Sequence, residues 1–161
     1  MKRIIHGLVA ATALAALAGC SGNPSAVVAA QASNRDMEKS FSPLRLVATS
    51  VDKRASQLTF EFAGTPAPSI TANAGQLRGD IFRSLSSHCG FTESDLVETR
   101  VVRHRIPTFY EVWVFNDPQS ERPDKRSGLS VVMKQLPNNG GVDFQVHGSC
   151  HTKGATFVMT R

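Results

Sequence analysis

Sulfur and imidazole are the groups in this chain whose spacing could support chemistry. The sequence has three cysteines and five histidines, and two short segments combine them: His88-Cys89, and residues 147–151 with the sequence His-Gly-Ser-Cys-His. A thiol can accept a lipid, form a disulfide or bind zinc, and imidazole is a common zinc ligand. The position of each cysteine along the chain therefore decides which chemistry we expect.

The first cysteine, Cys20, follows a segment with the layout of a secretory signal. Lys2 and Arg3 make the start positive, residues 8–18 are apolar apart from Thr12, and small residues precede the cysteine. This apolar run is shorter than the roughly 20 residues that a transmembrane helix needs. The pattern predicts a signal peptide over residues 1–19 that is removed on export.

The tetrapeptide Leu17-Ala18-Gly19-Cys20 resembles the lipobox of bacterial lipoproteins. The resemblance implies diacylglycerol transfer to the thiol of Cys20, cleavage before it and N-acylation. A chain acylated in this way is anchored to a membrane without spanning it. Because Ser21 follows the cysteine, similarity to Gram-negative lipoproteins also implies the outer membrane, with the domain facing the periplasm. An ordinary signal peptide with a chance cysteine is the alternative.

Cys89 and Cys150 remain as a pair. In an oxidising compartment an even pair predicts a disulfide, which would join a helix end to a late strand. The rival interpretation is a structural metal site, because His88, His147 and His151 would accompany the cysteines. Adjacent His-Cys pairs fit zinc poorly, since its ligands are usually spaced by two to four residues. We therefore expect a disulfide, with no cofactor and no resident metal.

A basic set, defined as Arg100, Arg103, His104 and Arg105, lies on a predicted strand that ends before Pro107. One interpretation is an edge strand that its charges protect from aggregation. The other is a docking surface for an acidic partner or peptide, with strand addition as the binding mode if the edge is open.

The sequence contains no catalytic motif of the nucleophile-elbow, zincin, P-loop or dinucleotide-binding type. Ser149 lies between His147 and His151, but no acid is placed to orient a histidine, so the three predict no nucleophilic site. Acidic residues around the predicted helix are interpreted as solvated charges: Asp80, Glu93, Asp95 and Glu98. We therefore predict a non-enzymatic protein.

The formal net charge is +5, and Lys2 and Arg3 of the signal segment contribute two of these charges. A mildly basic exported chain can meet anionic lipid, glycan or protein, and it does not indicate a nucleic-acid partner. Residues 20–42 are rich in Ala, Ser and Asn and predict a flexible tether, although residues 27–37 could form a weak helix if they dock. Residues 43–161 are predicted to form a single domain.

Apolar periodicity gives the order of elements in that domain. Alternation predicts a hairpin over residues 44–62. A capping pattern at Asn73 and an apolar stripe that ends at Cys89 predict one main helix, with Gly90 as its terminator. Further strands are predicted over residues 96–105, 109–115, 129–136, 142–147 and 155–159. The order ββ-α-βββββ predicts an α+β fold, a single antiparallel sheet with the helix packed on it.

This layout resembles the α/β type of type II secretion pilotins. The resemblance is carried by residues 44–62, 77–89 and 110–116 and by the closing Cys150, behind a lipobox. Pilotins are small outer-membrane lipoproteins that bind a C-terminal segment of the secretin and carry it to the outer membrane. The resemblance implies a lipid-anchored accessory or assembly protein with a protein partner.

Two other functions fit the same features. An inhibitor or immunity lipoprotein could block a wall-degrading enzyme with the loop at residues 116–127. A periplasmic metal-binding lipoprotein could use His88, His147 and His151. We expect first a secretion or conjugation accessory protein of the envelope, because lipid attachment is the only chemistry that the sequence clearly indicates.

Overall fold

Within residues 24–52 and 54–160, which the computed structural model describes, the chain forms two helices and eight strands. The helices are α1 (Pro24–Lys39) and α2 (Gly75–Cys89). The strands are β1 (Leu44–Ser50), β2 (Ala55–Phe62), β3 (Thr65–Pro66), β4 (Leu96–Arg105), β5 (Thr108–Asn116), β6 (Arg126–Gln135), β7 (Val142–His147) and β8 (Thr156–Thr160). Short 3-10 turns lie at Ile70–Asn73, Glu93–Asp95 and Pro137–Asn139. The predicted α+β class is confirmed.

The strands divide into two antiparallel sheets rather than the single sheet predicted. A three-stranded hairpin sheet has the order β1-β2-β8, and a five-stranded main sheet has the order β3-β4-β5-β6-β7. The last strand, β8, pairs with β2, so that Thr160 lies opposite Ala55. Side-chain alternation shows which face a residue occupies but not which strand lies beside it. The sequence therefore did not distinguish one sheet from two.

Helix α2 covers one face of the main sheet. Its buried residues Ile81, Phe82 and Leu85 pack against Trp113 and neighbouring side chains of the sheet. The helix ends as predicted, because Gly90 adopts a left-handed conformation with a φ of 76°. Its start differs from the prediction: Asn73 belongs to a 3-10 turn, and α2 begins at Gly75 without a side-chain cap.

The disulfide between Cys89 and Cys150 is present, which confirms that prediction. It joins the end of α2 to the segment after β7, across a sequence separation of 61 residues. Closing a loop of that length contributes about 4 kcal/mol to stability in the chain-entropy model. The bridge therefore holds the helix against the main sheet.

The segment before the hairpin is a docked helix, whereas the sequence predicts a flexible tether over residues 20–42. Helix α1 buries Ala26 and Ala30 against Leu58 of the hairpin sheet. Small alanine side chains allow the helix to approach the sheet closely, but they give a weak apolar periodicity. Residues 24–39 of the predicted tether are therefore helical.

The hairpin sheet meets the other face of the main sheet at the end of β2. Phe62 and Ala63 pack against Tyr110, Val112 and Val114 of β5. Strand β5 is therefore buried on both faces, as predicted for a central strand. Among the described helices, none is long and apolar enough to cross a membrane.

Candidate functional site

Cys20 and the whole predicted signal peptide lie outside the residues that the structure describes. The remaining predicted site residues fall in three places: the outer side of β4, the surroundings of the disulfide, and the segment that precedes β8. The contacts of the side chains differ from one place to the next.

Arg100 of the basic set is a structural residue. Its guanidinium donates to the carbonyl oxygens of Ala63 and Gly64, at 3.1 and 2.9 Å, and pairs with Glu98 at 2.9 Å. These contacts fasten the start of β3 to β4. The guanidinium of Arg100 is therefore occupied by contacts within the fold.

The other members of the basic set differ in their contacts. Arg103 lies 3.5 Å from a carboxylate oxygen of Glu38 in α1, and His104 is paired with Glu111. Arg105 is exposed at the end of β4. The structure thus separates the four residues by role.

The outer edge of β4 is covered in the middle of the strand. Strand β3 pairs with Val101 and Arg100, and the register shifts between Val101 and Arg103. A bulge of this kind twists an edge and interrupts its hydrogen-bonding row. The geometry favours a protected edge over a docking strand at this position.

Glu111 is a buried carboxylate that the sequence pattern did not identify as a candidate residue. Its Oε1 accepts the backbone N–H of Ile70 at 2.8 Å and lies 2.9 Å from His104 Nε2, while its Oε2 accepts the indole N–H of Trp113 at 3.0 Å. A charged residue inside an otherwise apolar central strand was the signal that could have identified it. The cluster fixes the 3-10 turn to the main sheet.

A second buried carboxylate, Asp117, lies beside the disulfide. Its Oδ2 accepts the Ser127 hydroxyl at 2.5 Å and lies 3.0 Å from His151 Nδ1, and its Oδ1 accepts the backbone N–H of Gln119 at 2.9 Å. Burial raises the pKa of Asp117, but these hydrogen bonds outweigh it and hold the pKa below its ordinary value of 3.8. Asp117 therefore orients His151, so the prediction that no acid is placed to orient a histidine is wrong for this one.

The loop between β5 and β6 is tied to the body of the protein. Ser120 is buried and donates to the carbonyl oxygens of Arg126 and Thr152, at 2.7 and 3.1 Å. The backbone N–H of Glu121 also donates to Thr152 at 3.1 Å. This geometry does not favour a protruding plug at residues 116–127.

The three histidines proposed as metal ligands have separate surroundings. His88 Nδ1 lies 2.8 Å from the Ser84 carbonyl oxygen, His151 contacts Asp117, and His147 packs on the ring of Phe41 at 5.1 Å. The disulfide occupies both thiols, which contradicts a thiolate metal site. In the part of the chain that the structure describes, no three or more His, Cys, Asp or Glu residues are grouped to hold a metal ion.

An open strand edge lies on β8 instead. Among residues 24–52 and 54–160, no strand pairs with the outer side of β8. Phe157 and Val158 are 52% and 64% exposed, and residues 156–160 contain no charged side chain. The sequence predicted a short last strand here, but not its position at an edge.

The opposite edge of the hairpin sheet is closed by a side chain. The amide of Asn34 in α1 donates to the carbonyl oxygen of Leu46 at 2.8 Å and accepts its backbone N–H at 2.6 Å. The amide thus takes the place of a neighbouring strand. Of the two edges of this sheet, the one on β8 has no partner strand among the described residues.

No family model, no curated protein and no solved structure matches this chain. Its function is therefore inferred from the geometry of the described domain and from the sequence pattern.

Proposed function

We propose that this chain is a lipid-anchored, non-enzymatic accessory protein of the Gram-negative envelope that binds a partner protein at the edge of β8. In this proposal Cys20 carries the lipid at the outer membrane and the domain faces the periplasm. The observation that carries the binding role is the open, charge-free edge of β8.

An open edge offers unpaired backbone N–H and C=O groups to an extended segment. Strand addition takes its affinity from those hydrogen bonds and its specificity from side chains on both faces. Phe157 lies on the face that carries Leu58, with its ring 6.2 Å from that of Phe60. Val158 lies on the other face, opposite Gln57. An added strand would cover apolar surface on both sides.

The partner expected is an extended segment with apolar side chains at alternate positions. The resemblance to pilotins supplies a first candidate, the C-terminal segment of a secretin. A secretion or conjugation accessory role is consistent with the same edge, because strand addition does not depend on one particular partner sequence.

Two lysine variants on one rung of the hairpin sheet test this proposal. Thr49, Gln57 and Val158 lie side by side in register across β1, β2 and β8. Val158→Lys places a charge on the open edge, which natural proteins use to prevent pairing. Thr49→Lys places the same charge on the edge that Asn34 closes, and serves as the matched control.

The measurement is capture of partners from solubilised envelope by the lipidated full-length chain, with identification by mass spectrometry. We expect wild type and Thr49→Lys to retain the same protein and Val158→Lys to lose it. Equal capture by both variants would show that β8 is not the binding edge. If the main captured species is the chain itself, the segment that pairs with β8 comes from a second copy and not from a different protein.

The anchor is tested separately. Metabolic labelling with a fatty-acid analogue should modify the wild type and not Cys20→Ser. An unlabelled wild-type chain would remove the lipid from the proposal.

A further inference from the structure

We propose that the end of the hairpin sheet nearest to Cys20 rests on the lipid surface, with Val28 and Val51 in contact with the headgroup region. The inference rests on the proposed lipid anchor and adds a second, non-covalent membrane contact. It identifies which end of the domain faces the bilayer.

The hydrogen bonds between Asn34 and Leu46 fix how α1 lies along β1. From Asn34 back to Pro24, the helix rises about 15 Å at 1.5 Å per residue, and Val28 lies at about 9 Å along that rise. From Leu46 forward to Val51, the strand advances about 17 Å at 3.3 Å per residue. Because Ala26 and Ala30 also pack on Leu58, both elements run to the same end of the sheet. The start of α1 and the β1–β2 turn therefore form one tip.

The chain between Cys20 and Pro24 limits how far this tip can lie from the anchor. Four residue steps span at most about 14 Å when fully extended. The headgroup layer on each side of a bilayer is about 5–8 Å thick. Helix α1 has 16 residues, so its other end lies about 24 Å further along the helix axis. The tip is the part of the described domain within closest reach of the lipid.

The tip has side chains suited to that surface. Val51 and Val28 are 59% and 62% exposed. The carboxylate of Asp52 turns back and accepts the backbone N–H groups of Arg54 and Ala55, at 2.6 and 2.8 Å. Arg54 is exposed on the same turn. The turn thus presents an exposed valine and an exposed arginine, which favour an interface with anionic lipid. Asp52 is exposed as well, but its carboxylate is engaged by the two backbone N–H groups.

A fluorescent reporter tests the contact in the lipidated full-length protein. The native thiols are occupied, Cys20 by lipid in the proposal and the other two by the disulfide. Val28→Cys therefore provides one free thiol for an environment-sensitive dye. Ile106→Cys is the control position, because Ile106 is 75% exposed and lies three residues after Arg103, which contacts Glu38 near the other end of α1.

In vesicles of phosphatidylethanolamine and phosphatidylglycerol, we expect the dye at position 28 to shift to shorter wavelength and to be quenched by lipid-borne nitroxide. The dye at position 106 should behave as in water. Adding Val51→Asp or Arg54→Glu to the Val28→Cys protein should reduce the quenching. Unchanged quenching in both variants would contradict the role of the turn.

Flotation with the vesicles separates the two proposals. Protein that floats while both dyes report water would retain the anchor and overturn the membrane-facing tip. Full-length protein whose intact mass shows no lipid, and which does not float, would overturn the anchor and this inference with it.

Discussion

Glu111 lies in the main sheet and Asp117 directly follows β5. Both carboxylates are buried, and each joins a loop to that sheet. A buried carboxylate is stable only when donors replace the water it has lost. Glu111 receives three such contacts, from Ile70, His104 and Trp113. Both acids orient a histidine, but each is also required by the fold. We therefore expect their replacement to affect stability.

Asp117 should make the stability of the protein sensitive to acid. Its pKa in the folded state lies below its ordinary value of 3.8, because hydrogen bonds outweigh the effect of burial. Its stabilising contribution is therefore present above the unfolded-state pKa and is lost as pH falls through the folded-state pKa. We expect the free energy of unfolding to fall less steeply between about pH 5 and pH 2 in Asp117→Asn than in wild type.

Urea denaturation at a series of pH values measures this effect. Asp117→Asn should also lose about 1–3 kcal/mol near neutral pH, since its amide cannot accept all the same donors. Asp143→Asn, at an exposed position on β7, is the control and should follow the wild-type profile. Parallel profiles for wild type and Asp117→Asn would contradict the prediction.

Glu111→Ala should destabilise the protein by about 3 kcal/mol or more, because it leaves buried donors without acceptors. Trp113 is the only tryptophan in the sequence, so its fluorescence reports directly on the lost indole contact. We expect a shifted emission maximum in the folded variant and a lower midpoint in urea. Glu61→Ala removes an exposed pair with Arg45 and should change stability by about 1 kcal/mol or less. Similar effects of the two variants would argue against the cluster.

At the scale of elements, local sequence patterns predicted where the strands lie better than which strands pair with each other. The bounds of β4 and the central position of β5 follow from apolar runs and turn residues. The pairing of β8 with β2 does not, because it depends on the approach of segments far apart in sequence. The disulfide was predictable from the number of cysteines and from the oxidising compartment that the signal pattern predicts. The residues of the basic set have different partners in the fold. Those partners depend on tertiary geometry, which the spacing of residues along the sequence does not reveal.

Helix α1 shows how one side chain can close a strand edge. The amide of Asn34 satisfies both backbone groups of Leu46, as a paired strand would. Asn34→Ala should lose about 1–3 kcal/mol, from two hydrogen bonds of about 1 kcal/mol each or more. Hydrogen exchange at the Leu46 amide should become faster, and self-association should increase through the freed edge of β1.

Sedimentation at several protein concentrations measures that self-association. Gln31→Ala, an exposed position one helical turn earlier in α1, is the control and should remain unchanged. An Asn34→Ala protein with wild-type exchange at Leu46 would show that the amide does not protect the edge.

At the scale of the whole molecule, two units meet at a close contact. The hairpin sheet carries the proposed partner edge and the proposed membrane tip, whereas the disulfide stabilises the main sheet and α2. Phe62 reaches the main sheet at Gly128, and the guanidinium of Arg122 covers its ring at 4.4 Å. The orientation of the partner edge relative to the main sheet therefore depends on this contact.

Gly128→Ala should weaken that junction. An added Cβ would lie 2.6 Å from Cδ1 and 2.7 Å from Cε1 of the Phe62 ring, which is buried and held by Arg122. Overpacking of this kind costs about 1–3 kcal/mol. We expect faster hydrogen exchange in β1 and β2, while the strands beneath α2 keep their protection because the disulfide and the helix are untouched. Gly79→Ala in α2 meets no atom within 4 Å and should be neutral or stabilising by up to about 1 kcal/mol. Uniformly faster exchange in both sheets of Gly128→Ala would show that the two sheets unfold as one unit and that the junction does not separate them.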